Sequence, residues 1–270
     1  TQFRSSAASD VYKRQMKGQW IKVYSDDLPL RSWWVDSDSE CENISIVLPE
    51  VFGINHWIRS FSEKLAKQNV PVLALPLYGR TAPKLDLAYS KEDLKLGRHH
   101  KNLTTSKNII KDISAALNWV KEKYPKKKIS IVGFCFGGHA AVIASSLKGI
   151  DSTFCFYGAG VTAPRKDTNF APIDLLEKVS GKLNFICGSS DDLIPLQDRL
   201  EIKKRFKKLD PLEERFIYVE VKGADHGFMC EERESFHKDA SLIGWNLLMK
   251  ELNLQNSCLL YTSPSPRDCL

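Results

Sequence analysis

The chain reads as an α/β protein built on a doubly wound, mostly parallel sheet flanked by helices. Three observations predict this. Apolar, β-branched runs alternate with amphipathic helical patterns along the 270 residues, the order expected of successive βαβ units. The later apolar runs are nearly continuous rather than alternating, as strands covered by helices on both faces must be. One of them, ISIVGFCFGGHA at 129–140, passes through a glycine-rich turn directly into an Ala-rich helix.

In chain order, the runs at 20–25 and 31–35 are short and broken by Asp26, Asp27 and Pro29, which predicts an antiparallel hairpin at the sheet edge. Strands follow at 44–49, 71–77, 129–134, 152–157, 183–187 and 215–221, and helices at 55–68, 105–123, 136–146, 172–179, 196–209 and 235–252. The helix at 105–123 places Ile109, Ile113, Ala116, Leu117 and Val120 on one face and has Thr and Ser at its start as caps. Right-handed crossovers make one doubly wound sheet the simplest topology. No internal repeat and no long linker divides it.

Composition narrows the class. With 43% hydrophobic and 27% charged residues the chain is ordinary for a globular protein, which excludes disordered, collagen-like and coiled-coil classes. Lys+Arg 39 against Asp+Glu 33 gives a net charge of +6, a mild excess. The basic runs at 126–128 and at Lys203, Lys204, Arg205, Lys207 and Lys208 read as solvated faces, so no nucleic-acid partner is expected. No stretch reads as a secretory leader or a membrane span, which points to a cytoplasmic monomer or small homo-oligomer acting on a small molecule.

Both ends read as foreign. SSAASDVYKRQ at 5–15 and CLLYTSPSPRD at 258–268 resemble translated adapters of a sequencing library, and their codons can be written as near reverse complements. Residues 1–15 and 258–270 are therefore read as adapter-derived tails, and 16–257 as the native domain. That domain holds Cys41, Cys135, Cys155, Cys187 and Cys230 with no C-x-x-C pair, so neither a zinc site nor a disulfide framework is suggested.

The chemistry centres on Gly133, Cys135, Gly137 and Gly138. A strand, G-x-Cys-x-G and a helix have the spacing of a nucleophile elbow, with Cys in the nucleophile's place. The turn strains the nucleophile's backbone, so its neighbours two residues away must lack side chains. It also aims Cys135 at a helix N-terminus, where the dipole favours a thiolate or an oxyanion. An elbow predicts an acid and then a histidine downstream. CGSSDDLIP at 187–195 offers Asp191, with Asp192 as its competitor, on a loop leaving one strand. GADHGF at 223–228 offers His226 after the last long strand.

These segments, with LPEVFGIN at 48–55 and LYGRTAP at 77–83, resemble the dienelactone hydrolase family over nearly all of 16–252. The resemblance implies an α/β-hydrolase fold, a Cys135–His226–Asp191 triad, and no metal or organic cofactor. It implies that Glu50 takes the thiol proton when substrate arrives, and that Val51 and Phe136 supply the oxyanion-hole N–H groups. Phe52 and Phe228 are candidate substrate contacts, and Arg80 of the L-Y-x-R segment is either a substrate contact or a structural residue. The expected activity is cysteine-dependent hydrolysis of a small lactone, enol ester or related ester through a thioester.

The sequence departs from the family where substrate arginines are described. Cys230 stands four residues beyond the histidine, and SKEDLKLGRHHKN at 90–102 reads either as a pocket wall, through Arg98, His99 and His100, or as an exposed loop. A second reading from another class is a non-catalytic scaffold that binds a ligand or senses redox state through Cys135, with Cys230 as the resolving thiol.

Overall fold

The computed structural model describes residues 18–37 and 42–252. Both proposed tails and Cys41 lie outside the described residues. Eight strands form one sheet in the order β1-β2-β4-β3-β5-β6-β7-β8: β1 (Gln19–Ser25), β2 (Leu28–Val35), β3 (Asn43–Leu48), β4 (Val72–Ala74), β5 (Lys128–Phe134), β6 (Ser152–Phe156), β7 (Lys182–Gly188) and β8 (Phe216–Val221). β1 and β2 form the expected antiparallel hairpin, β2 runs antiparallel to β4, and every pairing from β4 to β8 is parallel.

Alternation along the inner strands decides which helix covers which face. Ile44 and Ile46 of β3 and Ile129 and Ile131 of β5 pack with α3 (Ser106–Lys123) and α4 (Phe136–Ala144). Val47, Val132 and Phe134 point the other way onto α1 (His56–Ala66), where Trp57 and Phe61 both meet the Phe134 ring edge-on at 4.8 Å. The polar pair in this face, Ser45 and Ser130, satisfies itself across the β3–β5 ladder at 2.6 Å. Caps start the helices as their sequences suggest: Asn55 Oδ1 accepts the Ile58 N–H of α1, and Thr105 Oγ1 accepts the Asn108 N–H of α3.

The structure differs from the sequence reading in four elements. The strand expected over 71–77 pairs only over Val72–Ala74, with Leu75 N–H still donating to Val47, because Pro76 has no N–H to continue the ladder. Residues Pro172–Lys178 form a 3₁₀ rather than an α-helical segment. α6 (Lys238–Glu251) starts three residues later than expected, because the His237 ring accepts the Ala240 N–H as a cap. α5 (Leu196–Leu209) keeps the expected bounds.

The fourth difference matters most for the site. Residues Lys91–Leu103 form a helix, α2, where no strong periodicity appears. Its start is a capping box in which Ser90 Oγ accepts the Asp93 N–H and Asp93 Oδ2 accepts the Ser90 N–H. Its only buried residue is Gly97. No helix among the described residues is long and apolar enough to cross a membrane.

Candidate active site

The elbow forms as the glycines require. Cys135 adopts φ 55° and ψ −115°, a left-handed conformation rare outside glycine, and precedes α4 as its N-cap residue. A Cβ on Gly133 would come within 2.0 Å of the Gly137 carbonyl oxygen, and one on Gly137 within 2.1 Å of the Leu48 carbonyl oxygen. The end of β3, the end of β5 and the first turn of α4 therefore touch backbone to backbone. The strained residue is held by the Cys135 N–H bond to Phe156 and by His139 N–H donating to the Cys135 carbonyl, both at 3.0 Å.

The loops after β7 and β8 bring Asp191 and His226 together. His226 Nδ1 and Asp191 Oδ2 are 2.8 Å apart, both residues are buried, and Leu193 N–H holds the other carboxylate oxygen at 2.9 Å. Asp192, the competing acid, is exposed. His226 Nε2 is buried without a partner among the described residues. Burial opposes the imidazolium; once Cys135 carries a thiolate charge, that charge and the Asp191 hydrogen bond outweigh burial and raise His226 to about 10. The Tyr157 ring meets His226 edge-on at 5.1 Å and is itself backed by Phe228 at 5.2 Å.

Glu50 follows β3 and is 1% exposed. Its Oε1 accepts from Arg233 Nη1 at 2.8 Å, and its Oε2 is buried with no partner among the described residues. Burial raises the Glu50 carboxyl above its ordinary value, with Arg233 and His226 acting in the opposite direction. Arg233 was not singled out from sequence. It reaches Glu50 because Gly227, at φ 88°, lacks a Cβ that would meet the guanidinium at 2.2 Å. The small residue beside the histidine was the available signal.

The other expected residues separate into two groups. Val51 and Phe136 flank the elbow, and Phe136 opens α4, whose first N–H groups have no partner within the helix. Phe52 is buried against Tyr89 at 4.7 Å, with the Arg233 guanidinium 5.9 Å from its ring. Of the two roles the sequence left open for Arg80, the structure shows the structural one: its guanidinium forks onto the buried Asp112 carboxylate at 2.5 and 3.2 Å and donates to Ser25 Oγ, tying α3 to the hairpin. Phe228 is fully buried behind Tyr157 and supports the site rather than facing it. Arg98 and His99 are exposed on α2, and His100 Nδ1 pairs with Thr81 Oγ1. Cys230 Sγ donates to Tyr89 Oη and is buried.

Sequence reasoning missed a second wall of the site, made by Tyr78, Lys101, His139 and Arg165. Tyr78 and His139 stack on the Phe136 ring at 5.9 and 5.7 Å, and the Arg165 guanidinium lies 5.1 Å from that ring. His139 is lowered to about 4 by burial and by Arg165, so its ring is neutral while Nδ1 bonds the Ala159 carbonyl. Lys101 is half-buried on α2, within electrostatic reach of Cys135. Among the described residues no group of His, Cys, Asp and Glu is arranged to hold a metal ion.

Comparison with known proteins agrees with this architecture. The model of the dienelactone hydrolase family matches residues 34–254. A Synechocystis sp. protein designated a candidate carboxymethylenebutenolidase is 32% identical over 204 residues, 75% of this chain and 82% of that protein. A candidate dienelactone hydrolase from Klebsiella pneumoniae superposes with a TM-score of 0.77 at 18% identity, covering 88% of this chain and 98% of the other. A dienelactone hydrolase from Anabaena variabilis superposes at 0.61 with 14% identity, covering 87% and 98%. The chain, an α/β-hydrolase fold carrying a cysteine elbow, belongs to the dienelactone hydrolase family.

Proposed function

We propose that this protein hydrolyses a small lactone, enol ester or related ester through a thioester on Cys135, with Asp191, His226 and Glu50 as its acid–base groups. The observation that supports this best is the 2.8 Å contact between His226 Nδ1 and Asp191. It fixes the tautomer and leaves Nε2 free, beside a thiol at a helix N-terminus.

In the first half of the reaction Glu50 takes the thiol proton, a role suited to a carboxylate whose basicity burial has raised. The thiolate attacks the carbonyl carbon, and the resulting oxyanion is held by the Val51 and Phe136 N–H groups. Collapse breaks the acyl C–O bond, and the leaving oxygen takes the proton from Glu50. In the second half His226 Nε2 removes a proton from water, the hydroxide adds to the thioester, and the C–S bond breaks. The departing thiolate takes the imidazolium proton, which restores the neutral thiol and imidazole for the next cycle. Lys101, half-buried on α2 within electrostatic reach of Cys135, suits a substrate that carries a carboxylate, in keeping with the carboxymethylenebutenolidase designation of the Synechocystis relative.

Turnover of a panel of small lactones and enol esters by the parent and by Cys135→Ala, followed by absorbance and intact mass, tests this reading. Turnover with a transient acyl mass on the parent alone supports it; turnover by Cys135→Ala, or none by the parent, overturns it.

A further inference from the structure

α2 is held in an unusual way. It has little apolar surface to bury: Leu94 packs partly against the core, but Leu96 and Leu103 are 43% and 51% exposed, and Gly97 is its single buried residue. At Gly97 the helix backbone rests on the oxyanion loop, where a Cβ would come within 2.3 Å of the Val51 carbonyl oxygen and 3.2 Å of the Val51 Cβ. Its register against the active site must therefore be set from its ends.

At the C-terminal end Thr104 Oγ1 donates to the His100 carbonyl and the His100 ring pairs with Thr81, and Arg165 brings in the neighbouring loop. Arg165, in the loop after β6, donates through Nη2 to the Lys101 carbonyl at 3.2 Å and to the Thr104 carbonyl at the end of α2. Its Nε lies 3.5 Å from Asp167 Oδ1, and Asp167 Oδ2 accepts the Ser106 N–H, the first of α3, at 2.6 Å. A cation thus meets the carbonyl end of one helix and an anion the amide end of the next, each with the sign the helix dipole favours. The same guanidinium lies over the ring of Phe136.

Arg165 therefore connects both sides of the proposed oxyanion hole, reaching Val51 through α2 and touching Phe136 directly. We propose that Arg165, seated by Asp167, is the positioning residue that sets the spacing of the Val51 and Phe136 N–H groups. This rests on the hydrolase reading above. Arginine suits the position because one guanidinium can bond two carbonyls, pair with a carboxylate and lie over a ring together, which the single ammonium of lysine cannot.

The test compares Arg165→Gln, Arg165→Lys and Gly97→Ala with the parent, reading kcat and KM on an activated ester, the rate of Cys135 alkylation by iodoacetamide, and the melting temperature. Alkylation needs the thiolate but no oxyanion hole, so it separates positioning from general damage. Arg165→Gln is expected to lose kcat on the order of 10²-fold, the scale of one misplaced oxyanion donor, with KM and alkylation within about threefold of the parent. Arg165→Lys should regain only part of this loss. Gly97→Ala, whose Cβ would press on the Val51 backbone, should lose both kcat and melting temperature while Cys135 alkylation stays within about threefold of the parent. Unchanged kcat in Arg165→Gln, or equal losses of kcat and alkylation in that variant, overturns the proposal. A parent that alkylates at Cys135 yet turns over no ester overturns the hydrolase reading, and the positioning role falls with it. A parent that turns over, beside an Arg165→Gln equally active, overturns the positioning role alone.

Discussion

Glu50, buried, and Arg233, part-buried, form an ion pair, Oε1 to Nη1 at 2.8 Å, that leaves the second carboxylate oxygen unpaired at the edge of the site. Arg233 offsets the cost of burying the charge, and burial still holds the Glu50 carboxyl above its ordinary value of 4.5. Removing the guanidinium leaves an uncompensated buried anion, which costs about 3 kcal/mol at neutral pH. The sign with pH follows. A carboxyl raised on folding stabilises the fold fully below its unfolded value, and that stability is lost as pH rises through the folded value. Urea unfolding of Arg233→Met should therefore show a deficit that is small in acid, grows as pH rises past 4.5 and then levels off.

His226 offers a second pH measurement. Once Cys135 is charged, its thiolate and the Asp191 hydrogen bond overcome burial and raise it to about 10. In Cys135→Ala the first of these supports is gone, so the imidazole should titrate at lower pH than in the parent. NMR of the ring protons reads this directly, and an unchanged titration would show that the thiol does not act on the ring.

Asp191 and Asp192 are adjacent in sequence and unlike in placement. Asp191 is 1% exposed and bonded to His226, whereas Asp192 faces solvent. Asp191→Asn should lower kcat by roughly 10³-fold, by favouring the wrong imidazole tautomer. Asp192→Asn should stay within about twofold. Steady-state kinetics on one activated ester distinguishes them.

Arg80 belongs to the fold rather than to the substrate. Arg80→Met should cost about 2 kcal/mol by stranding the Asp112 carboxylate, which is nearly buried in α3. KM of the variant should match the parent at a temperature where both remain folded.

The sheet, its edge hairpin and the elbow were all legible along the chain, because each depends on local pattern: apolar runs, breakers, and glycines at fixed distances from Cys135. Asp191 and His226 were legible for a related reason, since each follows directly on a strand that the sheet order brings to the same edge. Those residues and their order were determined by the sequence alone. The partners of Glu50 and the wall at Lys101 and Arg165 were not, because nothing local marks them. Arg233 meets Glu50 across 183 residues, and only where Gly227 leaves room for the guanidinium. α2 escapes a periodicity search because it buries no apolar stripe; a glycine, a capping box and a distant arginine hold it in place. Backbone close packing and long-range ion pairs carry no sequence period, so the tertiary structure alone decided which charges lie within reach of Cys135 and which helix lies on the Val51 loop.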